Sequence, residues 1–505
     1  MNILYSTMGS YFKVFYHLNM ELNDSLTIVP SFYISDKNYI EKTFKKDFLQ
    51  NLNTIKEWDL INNGLQSKLV NERLIEIQKT YFGDESIWRS IINDRRLYNG
   101  TYCKYKQDYF TKFKEEELLK IFQYSFDEIE KHIKKTEPDC VIGPIPTTIG
   151  EYLIFRIAKK KNIKTLIFRH TKIKNYYSFL NNLNEVNHEV DSSILEKNFS
   201  DKNFNEAKNY IHDFKLKKGV LYEGTIKRDN YFFKAIFTFL SGIPKNFIKE
   251  YFIKPFKKND LHSRGNEFYK NYLFYLKPYL NNFILKLFHK NYFSSFDSIE
   301  KKKFIYFPLH SEPEIAITFL SKGYYNQIEL IREISFNLPA GYCLVVNEHP
   351  RNKARRSISY YKSISKIPNV YLADFEIKSH DLINLSSLVI VLSGFIGFES
   401  LILKKPVICF GKTNYSRISQ KMIKFLPNLN KLYNEIIDSL ESFKHEEDKL
   451  ISFIASVISH SEPINFYSVL LNKNRVNFKE SSQDFHLNIE SLAKLTTRKI
   501  FEKDK

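Results

Sequence analysis

The stretch "SLVIVLSGFIGFESLILKKPVICFG", Ser387 to Gly411, decides the fold. "SLVIVLSG" is a short apolar run rich in β-branched residues that stops at a Ser-Gly turn. "FIGFESLILKK" then carries apolar residues at helical spacing, and "PVICFG" is a second apolar run closed by glycine. Strand, helix and strand in that order form a β-α-β unit, and strands this apolar are buried on both faces, as in a parallel sheet.

Working upstream, the same alternation continues. "FIYFPLH", "GYCLVVNEHP" and "NVYLAD" read as strands, separated by the helical patterns "QIELIREISFNL", "ISYYKSISKI" and "IKSHDLINLS". Five strands alternating with helices predict a doubly wound parallel sheet. A second β-α-β unit lies earlier, in "PDCVIGPIP", "TIGEYLIFRIAKKKN" and "IKTLIFRH", and "NILYST" before Gly9 reads as an opening strand. The fold class is therefore α/β with two Rossmann-like domains, expected over 1–215 and 303–430. Residues 216–302 break the pattern, and 431–505 read as a helical tail.

The 216–302 connector interleaves aromatics with Lys234, Lys245, Lys249, Lys254, Lys257 and Lys258, with Pro244 and Pro255 interrupting any long helix. It reads either as a surface that rests on anionic lipid headgroups or as a solvated basic connector.

At 505 residues the chain exceeds a single core, and 43% hydrophobic with 16% aromatic content excludes a disordered chain. The formal charge of +19 suggests an anionic partner, although the abundance of Lys, Asn and Ile weakens that inference. Cys103, Cys140, Cys343 and Cys409 have no C-x-x-C spacing, which argues against a zinc or redox pair. The start lacks a secretory pattern and no long uncharged apolar run follows, so a cytoplasmic protein is expected, peripheral on the inner face of the cytoplasmic membrane if the connector rests on lipid.

Parallel topology brings the ends of the second sheet's strands to one rim. That rim gathers His310, Glu312 and Glu314 from "PLHSEPE", and Glu348, His349, Pro350 and Arg351 from "NEHPR". It also gathers Ser393, Gly394, Gly397, Glu399 and Ser400 from "SGFIGFES", and Lys412 and Tyr415 from "GKTNY". Ser393-Gly394 before a helix is a phosphate seat or an ordinary cap. Glu399 is placed to accept bonds from ribose hydroxyls or to complement the helix dipole. His349, fixed by Pro350 and followed by Arg351, Lys353, Arg355 and Arg356, points to an anion. No D-x-D stretch sits in the loops of this rim, so no obligatory metal or other cofactor is expected.

"YFPLHSEPE", "YNQIELIREI" with Gln327, "LPAGYCLVVNEHPR", "IPNVYLAD" and "SGFIGFESLILKKPVICFG" resemble the capsule polysaccharide synthesis family, which includes retaining β-Kdo transferases of bacterial capsules. The resemblance implies a GT-B-like glycosyltransferase with two Rossmann-like domains facing a cleft. It further implies a CMP-sugar donor carrying a 2-keto acid sugar, Kdo or a nonulosonic acid of pseudaminic or sialic type, and a glycan or glycolipid acceptor. His349, Pro350, Arg351, Ser393, Gly394, Gly397, Glu399 and Ser400 would hold the donor. His310 and Glu314 are candidates for acid, base or nucleophile, together with Glu151 of the first domain, which the resemblance does not cover and which is read from its place just past the "GPIPTTIGE" loop facing the cleft. Retention requires a carboxylate that attacks the sugar, whereas inversion requires only a base. Two alternatives stay open, a CDP-glycerol or CDP-ribitol transferase and a nucleic-acid-binding protein, the second opposed by the regular α/β rim.

Overall fold

The computed structural model describes residues 1–45, 48–94, 97, 113–181, 188–219, 284–285, 292–311, 317, 321, 323–324, 326–349, 352, 356–472 and 483–502. Lys234, Pro244, Lys245, Lys249, Lys254, Pro255, Lys257 and Lys258 of the connector, with Glu312, Glu314, Pro350, Arg351, Lys353, Arg355 and Cys103, lie outside the described residues.

The first sheet contains β1 (Asn2–Thr7), β2 (Val29–Ile34), β3 (Asn53–Lys56), β4 (Cys140–Pro144), β5 (Lys164–His170) and β6 (Tyr176–Leu180). Its first five strands are parallel in the order β3-β2-β1-β4-β5, and β6 folds back antiparallel on β5. Helices α1 (Tyr11–Asn23), α2 (Glu115–Thr136) and α3 (Ile149–Lys160) cover its faces, and α4 (Asp201–Lys217) leaves it. The order reverses between β1 and β4. In open α/β sheets that is where ligands bind, beyond the carboxyl ends of the strands.

The second sheet is parallel throughout, in the order β12-β11-β10-β7-β8-β9. Its strands are β7 (Phe304–Pro308), β8 (Cys343–Asn347), β9 (Val370–Leu372), β10 (Leu388–Val391), β11 (Val407–Cys409) and β12 (Ile423–Phe425). The helices between them are α5 (Gln327–Phe336), α6 (Ile358–Ser365), α7 (Ser379–Leu385) and α8 (Ile396–Ile402). All five strands expected from the sequence form, and β12 adds an edge. The switch falls between β7 and β10. Side chains alternate across this sheet: Phe304, Tyr306 and Val345 pack in the core beneath α8, while Ile305, Phe307, Leu344 and Val346 pack in the core on the other face. Phe398, Leu401 and Ile402 of α8 are fully buried there, each contributing roughly 1.5–3 kcal/mol.

The tail is not a separate helical unit. Helix α9 (Glu447–Ser459) packs on α4, after which β13 (Glu462–Pro463) pairs antiparallel with β6 of the first sheet. Helix α10 (Gln483–Phe501) then lies on α1. Phe466, Val469, Leu470, Phe485, Ile489 and Leu492 complete the core that holds Phe12, Phe15 and Phe168. Among the described residues no helix is long and apolar enough to cross a membrane.

Candidate functional site at the second switch point

β7 and β10 end side by side, and the loops that follow them touch. The imidazole of His310 lies against Gly394, where a Cβ would come within 2.8 Å of Nε2. His310 is 7% exposed, and neither ring nitrogen closes a hydrogen bond. Its pKa is lowered to about 3, by burial first and then by His349, with Arg356 a smaller contributor and the Pro308 carbonyl opposing. The ring is therefore neutral at physiological pH.

While the ring is uncommitted, the main chain of His310 is held by three hydrogen bonds from two residues. Gln327, 0% exposed at the start of α5, accepts from the His310 amide at 2.8 Å and donates back to its carbonyl at 3.1 Å. Arg356 Nη2 donates to that same carbonyl. Arg356 was expected to join the cationic loop that meets an anion, and the structure corrects this. The side chain is 1% exposed, its Nε donates to Glu348 at 2.7 Å, and its guanidinium lies 4.4 Å over the Tyr360 ring. Glu348 is committed too, accepting from the Tyr361 hydroxyl at 3.0 Å and the His349 amide at 2.7 Å. Glu348 and Arg356 thus clamp the base of the loop that carries His349, and His349 itself stays partly exposed at the rim.

The turn at Ser393-Gly394 is fixed from the β11 side. The buried Tyr415 hydroxyl donates to the Gly394 carbonyl, and a Cβ on Gly397 would come within 2.6 Å of that hydroxyl. Gly397 is small to admit Tyr415 rather than to face a ligand. Ser400, expected among the donor-binding groups, is buried and its hydroxyl bonds the Ile396 carbonyl at 2.7 Å inside α8, so it is not presented at the rim.

Glu399 is 6% exposed, and burial alone raises its pKa to about 8. Beside it sits Tyr306, whose hydroxyl is buried near Ser379 and Asn347. The hydroxyl's pKa is pushed above the tyrosine range, chiefly by burial, with Glu399 adding and Ser379 and Asn347 opposing. Asn347 donates to the Ile377 carbonyl at 3.3 Å and leaves its Oδ1 unbonded. Tyr306 and Asn347 were not singled out from the sequence. Both precede a rim histidine by an even number of residues, Tyr306 before His310 and Asn347 before His349, and that parity on a strand was the available signal.

In the first domain, Glu151 was expected to face the cleft, and the structure corrects this as well. It is 1% exposed and closes a capping box on α3 with Thr148. Its carboxylate accepts from the Thr147 amide at 2.8 Å, the Thr147 hydroxyl at 3.0 Å, the Thr148 amide at 3.2 Å and the Ser35 hydroxyl at 3.0 Å. These four donors engage both carboxylate oxygens. Glu151 holds the loop between β4 and α3 to the end of β2.

Where the domains meet, a cavity of about 30 Å³ is lined by Arg169, His170, Thr171, Ser178, Asn414 and Ser461. That admits a water or two and no sugar. Among the described residues no cluster of His, Cys, Asp or Glu is arranged to hold a metal ion.

Residues 270–418 match the family model described as "Capsule polysaccharide biosynthesis protein", so the resemblance read from the sequence holds over the segment that carries the rim. No curated protein matches the chain. Among solved structures, the chain is similar to the Thermosulfurimonas dismutans KpsC beta Kdo 2,7 transferase, at 13% identity and a TM-score of 0.35, covering 75% of this chain and 90% of that one. It is also similar to the beta Kdo 2,4 transferase of the same organism, at 11% identity and a TM-score of 0.34, covering 65% and 82%. A third is the UDP-GlcNAc 2-epimerase of Neisseria meningitidis, at 12% identity and a TM-score of 0.27, covering 91% and 98%.

Proposed function

We propose that the chain is a glycosyltransferase of capsule or surface-polysaccharide synthesis that takes a 2-keto acid sugar from a CMP-sugar and passes it to a glycan or glycolipid acceptor. The observation that carries this reading is the meeting of His310 with Gly394 at the second switch point, inside the segment that matches the capsule family. The donor phosphate would lie at the Ser393-Gly394 turn, with His349 and Arg351 donating to its oxygens, and Glu399 would take the ribose hydroxyls.

Transfer breaks the bond from the anomeric carbon to the phosphate oxygen, which leaves with CMP, and forms a bond from that carbon to the acceptor oxygen. The acceptor hydroxyl's proton must go to a base. Burial disfavours an imidazolium at His310, which suits that ring to a neutral hydrogen bond with the donor better than to proton storage. Glu314, four positions on in the same loop, is then the carboxylate assigned to base or nucleophile, because the oxygens of Glu151 are already occupied.

Thermal-shift measurements test the donor. CMP should raise the melting temperature more than CDP, UDP or GDP, since a ligand that binds only the native state stabilises it. Equal or larger shifts with UDP would remove the CMP-sugar reading. Replacing Lys254, Lys257 and Lys258 tests the proposed membrane surface, with loss of binding to anionic vesicles expected at roughly 1 kcal/mol per lysine. Vesicle binding that survives the replacement would make the segment a connector.

A further inference from the structure

We infer that Gln327 and Arg356 are positioning residues which hold the peptide of His310 so that its ring stays at the donor phosphate, an assignment that rests on the donor reading above. Gln327 opens α5, and the helix does not use its side chain as a cap: the neighbouring Asn326 does that, accepting from Ile328 and Glu329. The Gln327 amide instead reaches out of the helix and pairs with both polar atoms of one peptide residue, the N–H and the C=O of His310. Arg356 adds a second donor to the same carbonyl.

His310 stands just past the end of β7, where a strand-end residue ordinarily has freedom to move. Here the backbone amide and carbonyl are both fixed and buried, while the two ring nitrogens close no hydrogen bond. Fixing the main chain while leaving the ring uncommitted is what preorganisation of a binding group requires.

The clamp also links two loops. Arg356 reaches Glu348, which accepts from the amide of His349. A shift of Arg356 therefore moves both histidines of the rim. A purely structural role would satisfy the buried His310 peptide and nothing more. In that case the ring's environment and ligand affinity would not depend on Gln327.

The experiment uses the full chain and CMP as the probe, with three variants: Gln327→Met, His310→Ala and the pair combined. Gln327→Met is expected to weaken CMP binding about tenfold, the effect of one to two lost hydrogen bonds. His310→Ala should weaken it comparably, and the double variant should bind no worse than His310→Ala, because a residue that acts through another shows complete coupling in a double-mutant cycle.

Histidine ring NMR supplies a readout that needs no ligand. In the parent His310 should stay neutral throughout the pH range in which the protein is folded, its pKa being lowered chiefly by burial. In Gln327→Met, the released ring should titrate nearer the ordinary histidine value of about 6.5. A Gln327→Met protein with parental His310 titration, or with effects on CMP binding that simply add to those of His310→Ala, overturns the inference. If the parent does not bind CMP, the donor reading fails and the ring titration alone decides the positioning role. If Gln327→Met does not fold, Gln327→Glu carries the same two readouts, since it keeps the acceptor for the His310 amide and loses the donor to its carbonyl.

Discussion

His310 and Gly394 are packed so closely that the glycine has no room for a side chain, a Cβ there lying 2.8 Å from Nε2. Gly394→Ala must push the ring aside. Overpacking of this kind costs about 1–3 kcal/mol, to be read as a drop in the urea midpoint. Removing the ring in His310→Ala/Gly394→Ala should recover part of that loss. A double variant as unstable as the sum of the singles would show that the alanine strains the turn itself.

Stability should fall with rising pH because of Glu399. Its folded pKa is raised from 4.5 to about 8 by burial, so the native state binds the extra proton. The contribution is fully present below about pH 4.5 and is lost through pH 8, at about 1.4 kcal/mol per pH unit within that window. Glu399→Gln should flatten this part of the profile in denaturant titrations between pH 5 and 8.

The buried histidines act in the opposite sense. His310 and His170 are both held neutral, with pKa values lowered to about 3, chiefly by burial. The unfolded chain takes up those protons first, so stability should decline as pH falls from about 6.5 towards 3, by about 1.4 kcal/mol per pH unit for each ring. His170→Gln should remove one share of that acid slope, measured by chemical denaturation at pH 4 and pH 7.

Breaking the Glu348–Arg356 pair from one side leaves a charge buried without its partner. Arg356→Met should cost about 3–5 kcal/mol. Combining it with Glu348→Leu should return most of that, less about 1–3 kcal/mol for the Tyr361 hydroxyl left without its acceptor. Calorimetric unfolding of the three proteins checks the order, and a double variant as unstable as Arg356→Met would contradict it.

Glu151→Gln preserves shape but loses the charge that strengthens these hydrogen bonds: its oxygen can stay on the Thr147 and Thr148 amides, while its NH₂ turns to the Ser35 hydroxyl, which can no longer donate to it. A loss of about 1–3 kcal/mol is expected, with CMP binding unchanged. Weakened CMP binding at parental stability would bring Glu151 to the donor, against its role in holding the loop between β4 and α3.

The elements of the second domain were legible because each strand and helix carries its own periodicity, as in "SLVIVLSG" and "FIGFESLILKK". The convergence of His310, His349 and Ser393 followed from parallel topology. Pairings between distant side chains were not legible. Arg356 read as one more cation of an anion-binding loop, because nothing local in the sequence shows that it turns inward to Glu348 and His310. Glu151 read as a cleft carboxylate for the same reason, although the Thr-x-x-Glu spacing at Thr148 is itself a capping signature. The pairing of β13 with β6 joins residues nearly 300 positions apart, a contact that no periodicity reports.

That long-range pairing also sets an order of events during synthesis. Phe466, Val469, Phe485, Ile489 and Leu492 belong to the same core as Phe12 and Phe15, yet they leave the ribosome more than 400 residues later. At about 5–20 residues per second, the interval between the emergence of β5 and that of α10 is roughly a quarter of a minute to a minute. Throughout it, the apolar side of α1 has no covering helix. The second sheet, whose strands lie close together in sequence, can close meanwhile. The domain translated first is therefore the one finished last, and its uncovered face is where a chaperone would bind the nascent chain.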